Sequence, residues 1–173
     1  MIGKDLEECL HAAFLAARQD RHQHLTVEHL LLALLDNASA ATLLRGCGAN
    51  MTKLRRELGR LLAELTPLAQ EGQEVDTQPT LAFQRVLQRA LLEGKMKGDR
   101  EVTGADVLLA IFEEKDANAV RLLAVNGITR FEVVFYEAHG VSPMAPSYEA
   151  EPPEAPELQV VLYNDDFTPW RSL

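Results

Sequence analysis

The chain repeats itself at an offset of 77 residues, and this repeat limits the folds that are open to it. In the first segment of each copy the apolar residues recur at intervals of three and four, the spacing of a single stripe on an α-helix. The aligned pairs are Leu6 and Phe83, Cys9 and Val86, Leu10 and Leu87, Ala13 and Ala90, Phe14 and Leu91, and Ala17 and Gly94. Both segments are therefore predicted to be helices that bury one face.

Two further helices follow in each copy, with recognisable ends. The second helix is predicted to begin after Thr26 in the first copy and after Thr103 in the second, because a threonine side chain accepts an amide hydrogen bond there. The third helix is predicted to end before Gly48 or Gly127, after two extra residues in the second copy. Glycine suits the left-handed conformation that stops a helix.

A fourth helix completes each copy. It is predicted to run from Asn50 to about Leu65 in the first copy and from Thr129 to Ala138 in the second. Thr129 and Glu132 have the spacing of a capping box, in which each residue satisfies a backbone amide of the other. Gly140 then closes the turn.

Four short helices with one apolar face each cannot enclose a core by themselves. We therefore predict an all-α fold in which two four-helix repeats, about residues 1–65 and 80–140, pack on each other with pseudo-two-fold symmetry. The segment between them, residues 66–79, is mostly polar and contains proline and glycine, so it is expected to cross the surface.

Beyond residue 140 the composition changes. Five of the eight prolines and four glutamates lie in residues 141–157, which predicts an extended, solvated linker. Residues 158–163 have a strand pattern, a turn follows, and a helix is expected to start at Pro169. A lone strand has no sheet to join. We therefore expect either a piece of a longer protein or a tail that docks on another molecule.

Charge and composition exclude several classes of function. The net charge of −9 argues against nucleic acid or an anionic membrane as a partner, because both attract a basic face. Two cysteines are too few for a disulfide framework, and the first residues lack the pattern of a signal peptide or a membrane span. A cytoplasmic location is therefore expected.

Catalytic and metal motifs are equally sparse. His22 and His24 offer two imidazoles where a zinc site needs three or four ligands, so no metal is predicted. No phosphate loop of the type that binds ATP occurs, and no nucleophile is clustered with a base. We predict a protein that is not an enzyme and needs no cofactor.

Three runs of sequence resemble the N-terminal domain of ClpA. They are TVEHLLLALL at 26–35, DTQPTLAFQRVLQRA at 76–90 and EVTGADVLLAIF at 101–112. The resemblance covers about residues 1–140, and a double repeat is typical of Clp ATPase N-domains in general. It implies an all-helical domain tethered above a hexameric AAA+ unfoldase ring that feeds the ClpP peptidase. It also implies docking of the adaptor ClpS and of protein substrates.

The resemblance also carries site residues over to this chain. It assigns adaptor docking to Glu28, near the start of the second helix, and to Thr80 and Arg85, around the start of the fifth. The alternative is that Glu28 only offsets the positive end of its helix dipole and that Thr80 is only a helix cap. If docking is correct, Glu28→Arg should weaken adaptor binding and leave the melting temperature unchanged.

The end of the chain carries a second resemblance. Residues 158–169 resemble the opening of ClpS, in which the positions matching Asn164 and Asp165 hold the free α-amino group of a substrate. The alternative is that these two residues only form a turn. The leading hypothesis is therefore a non-catalytic interaction module of a ClpA-type unfoldase. The alternative hypothesis is a free-standing decoy whose tail, residues 158–173, occupies the docking surface of a Clp N-domain.

Overall fold

Eight α-helices, arranged as two sets of four, build the part of the chain up to residue 140. The first repeat consists of α1 (Lys4–Gln19), α2 (Val27–Leu34), α3 (Ala38–Gly46) and α4 (Met51–Leu65). The second consists of α5 (Leu81–Met96), α6 (Gly104–Ile111), α7 (Asn118–Val125) and α8 (Arg130–His139). The structure is a computed structural model that describes residues 1–140 and the strands Val161–Tyr163 and Trp170–Ser172. The predicted all-α double repeat is confirmed.

The helices end where the capping residues predict. The backbone N–H of Thr129 donates to Glu132 Oε1 at 3.1 Å, as the capping box requires. Three glycines that follow helices have the left-handed backbone conformation, with φ of 86° at Gly48, 80° at Gly127 and 73° at Gly140. A side chain at these positions would strain the backbone, so the glycines fix the ends of α3, α7 and α8.

The two repeats exchange short backbone contacts with each other. The two-residue strands β1 (His24–Leu25) and β2 (Gln78–Pro79) pair in parallel, and Leu25 lies opposite Pro79. An isolated bridge joins Ile2 to Val102, and this pair is related to the first by the repeat offset. In each repeat the segment before the first helix thus pairs with the segment before the second helix of the other repeat, as pseudo-two-fold symmetry requires. Strands of two residues leave no pattern in a sequence, which is why they are not predicted.

One hydrophobic core runs through both repeats. Helices α2 and α6 contact each other, α4 packs on α7, and α8 packs on α3, so the packing crosses from one copy to the other. The largest fully buried side chains come from both repeats; they are Leu6, Leu30, Leu31, Leu34, Leu35, Leu44, Leu54, Leu58, Leu108, Ile111 and Leu123. Burial of apolar surface shared between the copies therefore holds the two halves together.

The segment between the repeats crosses the surface, as predicted, and is attached along its length. Arg21 Nη2 donates to the carbonyl oxygens of Gln70 and Gln73 at 2.7 and 2.9 Å. The hydroxyl of Thr77, which is buried, donates to the carbonyl of His22 at 2.8 Å. These bonds tie the connection to the loop that precedes α2.

The chain divides into two units, Met1–Pro143 and Met144–Leu173. In the second unit β3 (Val161–Tyr163) pairs antiparallel with β4 (Trp170–Ser172). The strand predicted for this segment is confirmed over its last three residues, whereas the helix expected from Pro169 is wrong over Trp170–Ser172. A second strand satisfies backbone groups that a lone strand would leave unpaired. The predicted linker at 141–157 lies outside the described residues.

Candidate functional site

The starts of α2 and α5 lie side by side. Pairing of β1 with β2 holds them together, and the N–H of Thr80 donates to the carbonyl of Leu25 at 3.0 Å. Thr80 is the N-cap of α5, and its hydroxyl oxygen accepts from the N–H of Phe83 at 3.2 Å. We call the surface formed by Glu28, Thr80, Leu81 and Arg85 the helix-start face.

Glu28 joins the two repeats. Its Oε2 accepts a hydrogen bond from the N–H of Ala119, at the start of α7, at 2.8 Å. The N-cap position of α7 is Ala117, which has no side-chain oxygen, so Glu28 supplies the acceptor from another helix. Its carboxylate also lies at the positive end of the α7 dipole. The expectation that Glu28→Arg leaves the melting temperature unchanged is therefore revised, because arginine cannot accept this bond.

Arg85 is held by a carboxylate from the loop between α6 and α7. Its Nη2 and Nε donate to the two oxygens of Glu114 at 2.7 and 3.1 Å, and Arg89 Nη1 adds a longer bond of 3.4 Å. The side chain of Glu114 is only 10% exposed. Hydrogen bonds from Arg85 lower the pKa of Glu114 below its usual value, and Glu114 in turn raises the pKa of Arg85. Both groups are thereby fixed in their charged forms.

Leu81 is the exposed apolar residue of the helix-start face. It is the first residue of α5, and 72% of its surface is accessible to solvent. Sequence reasoning missed it, although its position outside the apolar stripe of α5 could have marked it. The structure therefore adds Leu81 to the predicted residues, and the docking role of Glu28, Thr80 and Arg85 stays a prediction. Asn164 and Asp165 lie outside the described residues.

His22 and His29 form a buried pair near the start of α2. The N–H of Thr26 donates to His29 Nδ1 at 3.0 Å, so this nitrogen carries no proton. The proton of the neutral ring is then on His29 Nε2, which lies 2.8 Å from His22 Nδ1 and donates to it. Burial first, and the charge of His22 second, lower the pKa of His29 from 6.5 to about 4.

Two other kinds of feature are sparse in the part of the chain that the structure describes. No group of three or more histidine, cysteine or acidic side chains is arranged to hold a metal ion there. No single helix in that part is both long and apolar enough to cross a membrane. The consecutive helices α2 and α3 pass that test of length and composition only as a pair, with a bend of 85° between them.

We expect Glu28→Ala to lower the free energy of unfolding by about 1 kcal/mol, the usual cost of losing a helix cap. Glu28→Gln should cost less, because an amide oxygen still accepts from Ala119. Urea titration followed by circular dichroism measures both values. Glu64→Ala, at an exposed position of α4, is the control and should stay within about 0.5 kcal/mol of the parent chain. Equal stability of Glu28→Ala and Glu64→Ala would contradict the capping role.

Comparison with known proteins agrees with this fold. The family model of the Clp repeat (R) N-terminal domain matches residues 1–126. The ClpA homolog protein of Fuscovulum blasticum is 39% identical over 167 residues, which are 91% of this chain. The chain spans only about a fifth of that relative, 21% of its length.

Solved structures with lower identity share the fold. The Hsp104 N-terminal domain from Candida albicans has a TM-score of 0.69 and 18% identity, over 80% of this chain and 91% of that one. A ClpV N-domain solved in complex with a VipB peptide has a TM-score of 0.60 and 19% identity, over 80% of this chain and 85% of that one. At such identities the likeness concerns the arrangement of helices.

Proposed function

Because the chain belongs to the Clp repeat N-terminal domain family, we propose that its helical unit is a non-catalytic docking module of a ClpA-type AAA+ unfoldase. In this proposal the module acts in the cytoplasm. It binds the adaptor ClpS, and protein substrates, for ATP-dependent degradation by ClpP. The ClpA homolog of Fuscovulum blasticum, similar over 91% of this chain, supports the ClpA-type assignment.

The helix-start face is the observation that carries the proposal. It combines an apolar side chain exposed to solvent, Leu81, with the exposed guanidinium of Arg85 and the half-buried carboxylate of Glu28. An apolar centre with a polar rim is the usual composition of a protein-binding patch. The two charged groups are already held by Glu114 and Ala119, so binding would cost little side-chain entropy.

The electrostatics of the face favour binding over catalysis. Arg85 and its partner Glu114, from the neighbouring loop, have shifted pKa values, and each is shifted toward its charged form by the other. Catalytic acids and bases instead need pKa values near the working pH, so that a proton can be gained and lost. A permanently charged pair of this kind can hold Arg85 in one orientation for a partner, but it cannot exchange a proton with a substrate.

We expect the 173-residue chain to bind ClpS in isothermal titration calorimetry, and Leu81→Glu to weaken this binding at least about tenfold. The new carboxylate would remove the apolar centre of the patch. It would leave the fold intact, because Leu81 lies in the first turn of α5, where an acid is favourable.

Leu92→Glu is the matched control, since Leu92 is 59% exposed on the same helix but lies about three turns further along. This variant should bind ClpS within about twofold of the parent chain, as expected for surface positions outside an interface. No heat of binding by the parent chain at tens of micromolar ClpS would refute adaptor docking. Equal loss in both variants would place the docking surface elsewhere.

A further inference from the structure

A second surface feature lies along α1 and contains none of the residues of the helix-start face. Two adjoining cavities of about 410 and 420 Å³ open between α1, α2 and α4. They share the lining residues Ala12, Ala33 and Asp36, so they form one continuous groove. We call it the α1 groove.

The floor of the α1 groove is built from small residues. Ala12, Ala13 and Ala16 of α1 face Ala33, at the end of α2, and Gly59 of α4. Small side chains leave room for the backbone and side chains of a bound segment to approach closely. Leu32 adds apolar surface at the same place. The floor therefore suits the apolar side chains of a peptide.

One end of the α1 groove is acidic. Asp5, Glu8 and Asp36 line it. Among the residues that the structure describes, Arg55 is the only lysine or arginine lining the groove, and its two terminal nitrogens donate to the two oxygens of Asp36 at 2.8 and 3.1 Å. Asp5 and Glu8 form no ion pair with any residue from 1 to 140. This end thus has negative charge that no ion pair within residues 1–140 neutralises.

The second repeat shows which group occupies the corresponding place. Helices α1 and α5 align without a gap, and the positions of Glu8 and Ala12 correspond to Arg85 and Arg89. Both arginine side chains bond to Glu114, which comes from the loop after α6. In the second repeat these two helix positions therefore carry guanidinium groups, and an acid of the same chain binds them. In the first repeat a carboxylate and a methyl group stand there instead.

We propose that the α1 groove binds a segment of a partner protein that brings an arginine to Asp5 and Glu8 and lays apolar side chains on the alanine floor. Charge complementarity selects this occupant, because the acidic end of the groove has no arginine or lysine bound to Asp5 or Glu8 within residues 1–140. Arginine fits better than lysine because its planar guanidinium bonds to several carboxylate oxygens at once and is more weakly hydrated. The inference does not depend on ClpS or on the helix-start face.

Fluorescence anisotropy with the full chain tests the proposal. The probe is a fluorescein-labelled peptide of leucine, alanine and glutamine with one central arginine, compared with the same peptide containing citrulline. Citrulline keeps the shape of the side chain and removes its charge. We expect the arginine peptide to bind about tenfold more tightly, the size of a charge-assisted hydrogen bond. Equal affinity of the two peptides would overturn the proposal.

The double variant Glu8→Arg with Ala12→Arg copies the second repeat into the first. Both positions are exposed on α1, so the fold should persist, and the new side chains should fill the groove and abolish peptide binding. Asp5→Asn with Glu8→Gln removes the charge with almost no change of shape. It should reduce binding about tenfold even if the arginine variant proves unstable.

Glu7→Arg is the matched control, because Glu7 is exposed on the same helix and does not line the groove. It should keep the affinity within about twofold. Equal loss in Glu7→Arg would mean that only the overall charge of the chain matters and would refute a site. Self-association of the parent chain in sedimentation, abolished by the double variant, would refute a foreign partner in favour of a second copy.

Discussion

Replacing Gly104 by alanine should lower the free energy of unfolding by about 2–4 kcal/mol, the combined size of an overpacking penalty and a lost helix cap. Gly104 is the first residue of α6, and a Cβ atom there would overlap the side chain of Asn37. Asn37 is only 6% exposed, so it cannot move aside into solvent. The methyl group must therefore push two elements of the core apart.

The displaced residue has hydrogen bonds of its own at the start of α3. Asn37 Oδ1 accepts from the N–H of Ala40 at 3.1 Å and from the hydroxyl of Ser39 at 3.0 Å. The oxygen of Ser39 in turn accepts from the N–H of Ala105 at 3.0 Å. A shift of Asn37 would therefore disturb the starts of α3 and α6 together, one from each repeat.

Gly59→Ala is the control for this substitution. Gly59 lies inside α4 without a left-handed backbone, and a Cβ atom there would meet no described part of the chain within 4 Å beyond its own stretch of helix. The same change there should raise stability by about 0.5–1 kcal/mol, because alanine favours a helix over glycine. Urea denaturation followed by circular dichroism measures both variants. A stable Gly104→Ala protein would show that the α3–α6 junction is looser than the packing indicates.

The second large effect is a loss of stability in mild acid that depends on His29. Its pKa of about 4 in the folded chain lies below the 6.5 of the unfolded chain. Between these pH values the unfolded state binds a proton that the folded state does not bind. The contribution of His29 to the free energy of unfolding is therefore fully present above pH 6.5 and is lost as the pH falls toward 4. The loss attributable to His29 should reach about 2 kcal/mol near pH 4.5.

The structural reason is the direction of its hydrogen bonds. His29 Nδ1 accepts from the backbone N–H of Thr26, and a protonated ring would place a second donor against that N–H. The positive charge would also lie beside His22 in a buried site. Protonation therefore breaks the cap of α2.

Chemical denaturation of the parent chain and of His29→Gln at several pH values between 4.5 and 7.5 isolates this contribution. Glutamine can accept from Thr26 and does not titrate, so the difference between the two proteins should shrink as the pH falls. Acid effects of carboxylates such as Glu114 occur in both proteins and cancel. His11→Gln, at an exposed position of α1, should keep the pH profile of the parent chain. A parallel profile for His29→Gln would exclude this histidine as the cause.

The helices were predictable because their information is local. Apolar spacing defined the faces of α1 and α5, and threonine, asparagine and glycine at the ends defined where α2, α4 and α8 begin or end. The repeat also predicted that the two copies pack on each other. The proximity of the α2 and α5 starts depends instead on the pairing of β1 with β2.

The contacts that were not predictable join residues far apart in the chain. Glu28 caps a helix that starts about 90 residues later, and Gly104 meets Asn37 across the junction of the repeats. Neither pair leaves a pattern in a window of sequence, because each depends on how the two copies dock. The pairing of β3 with β4 was missed because a proline after a threonine gives the same local pattern as a helix start.

The backbone pairing between the two repeats has a consequence for how the molecule unfolds. The N–H of Gly3 donates to the carbonyl of Val102 at 3.0 Å, as the N–H of Thr80 does to that of Leu25. In a linear array of repeats each unit touches only its neighbours and can open from one end. Here, opening either copy removes backbone partners and apolar cover from the other. We therefore expect the two repeats to unfold together, in a single cooperative transition.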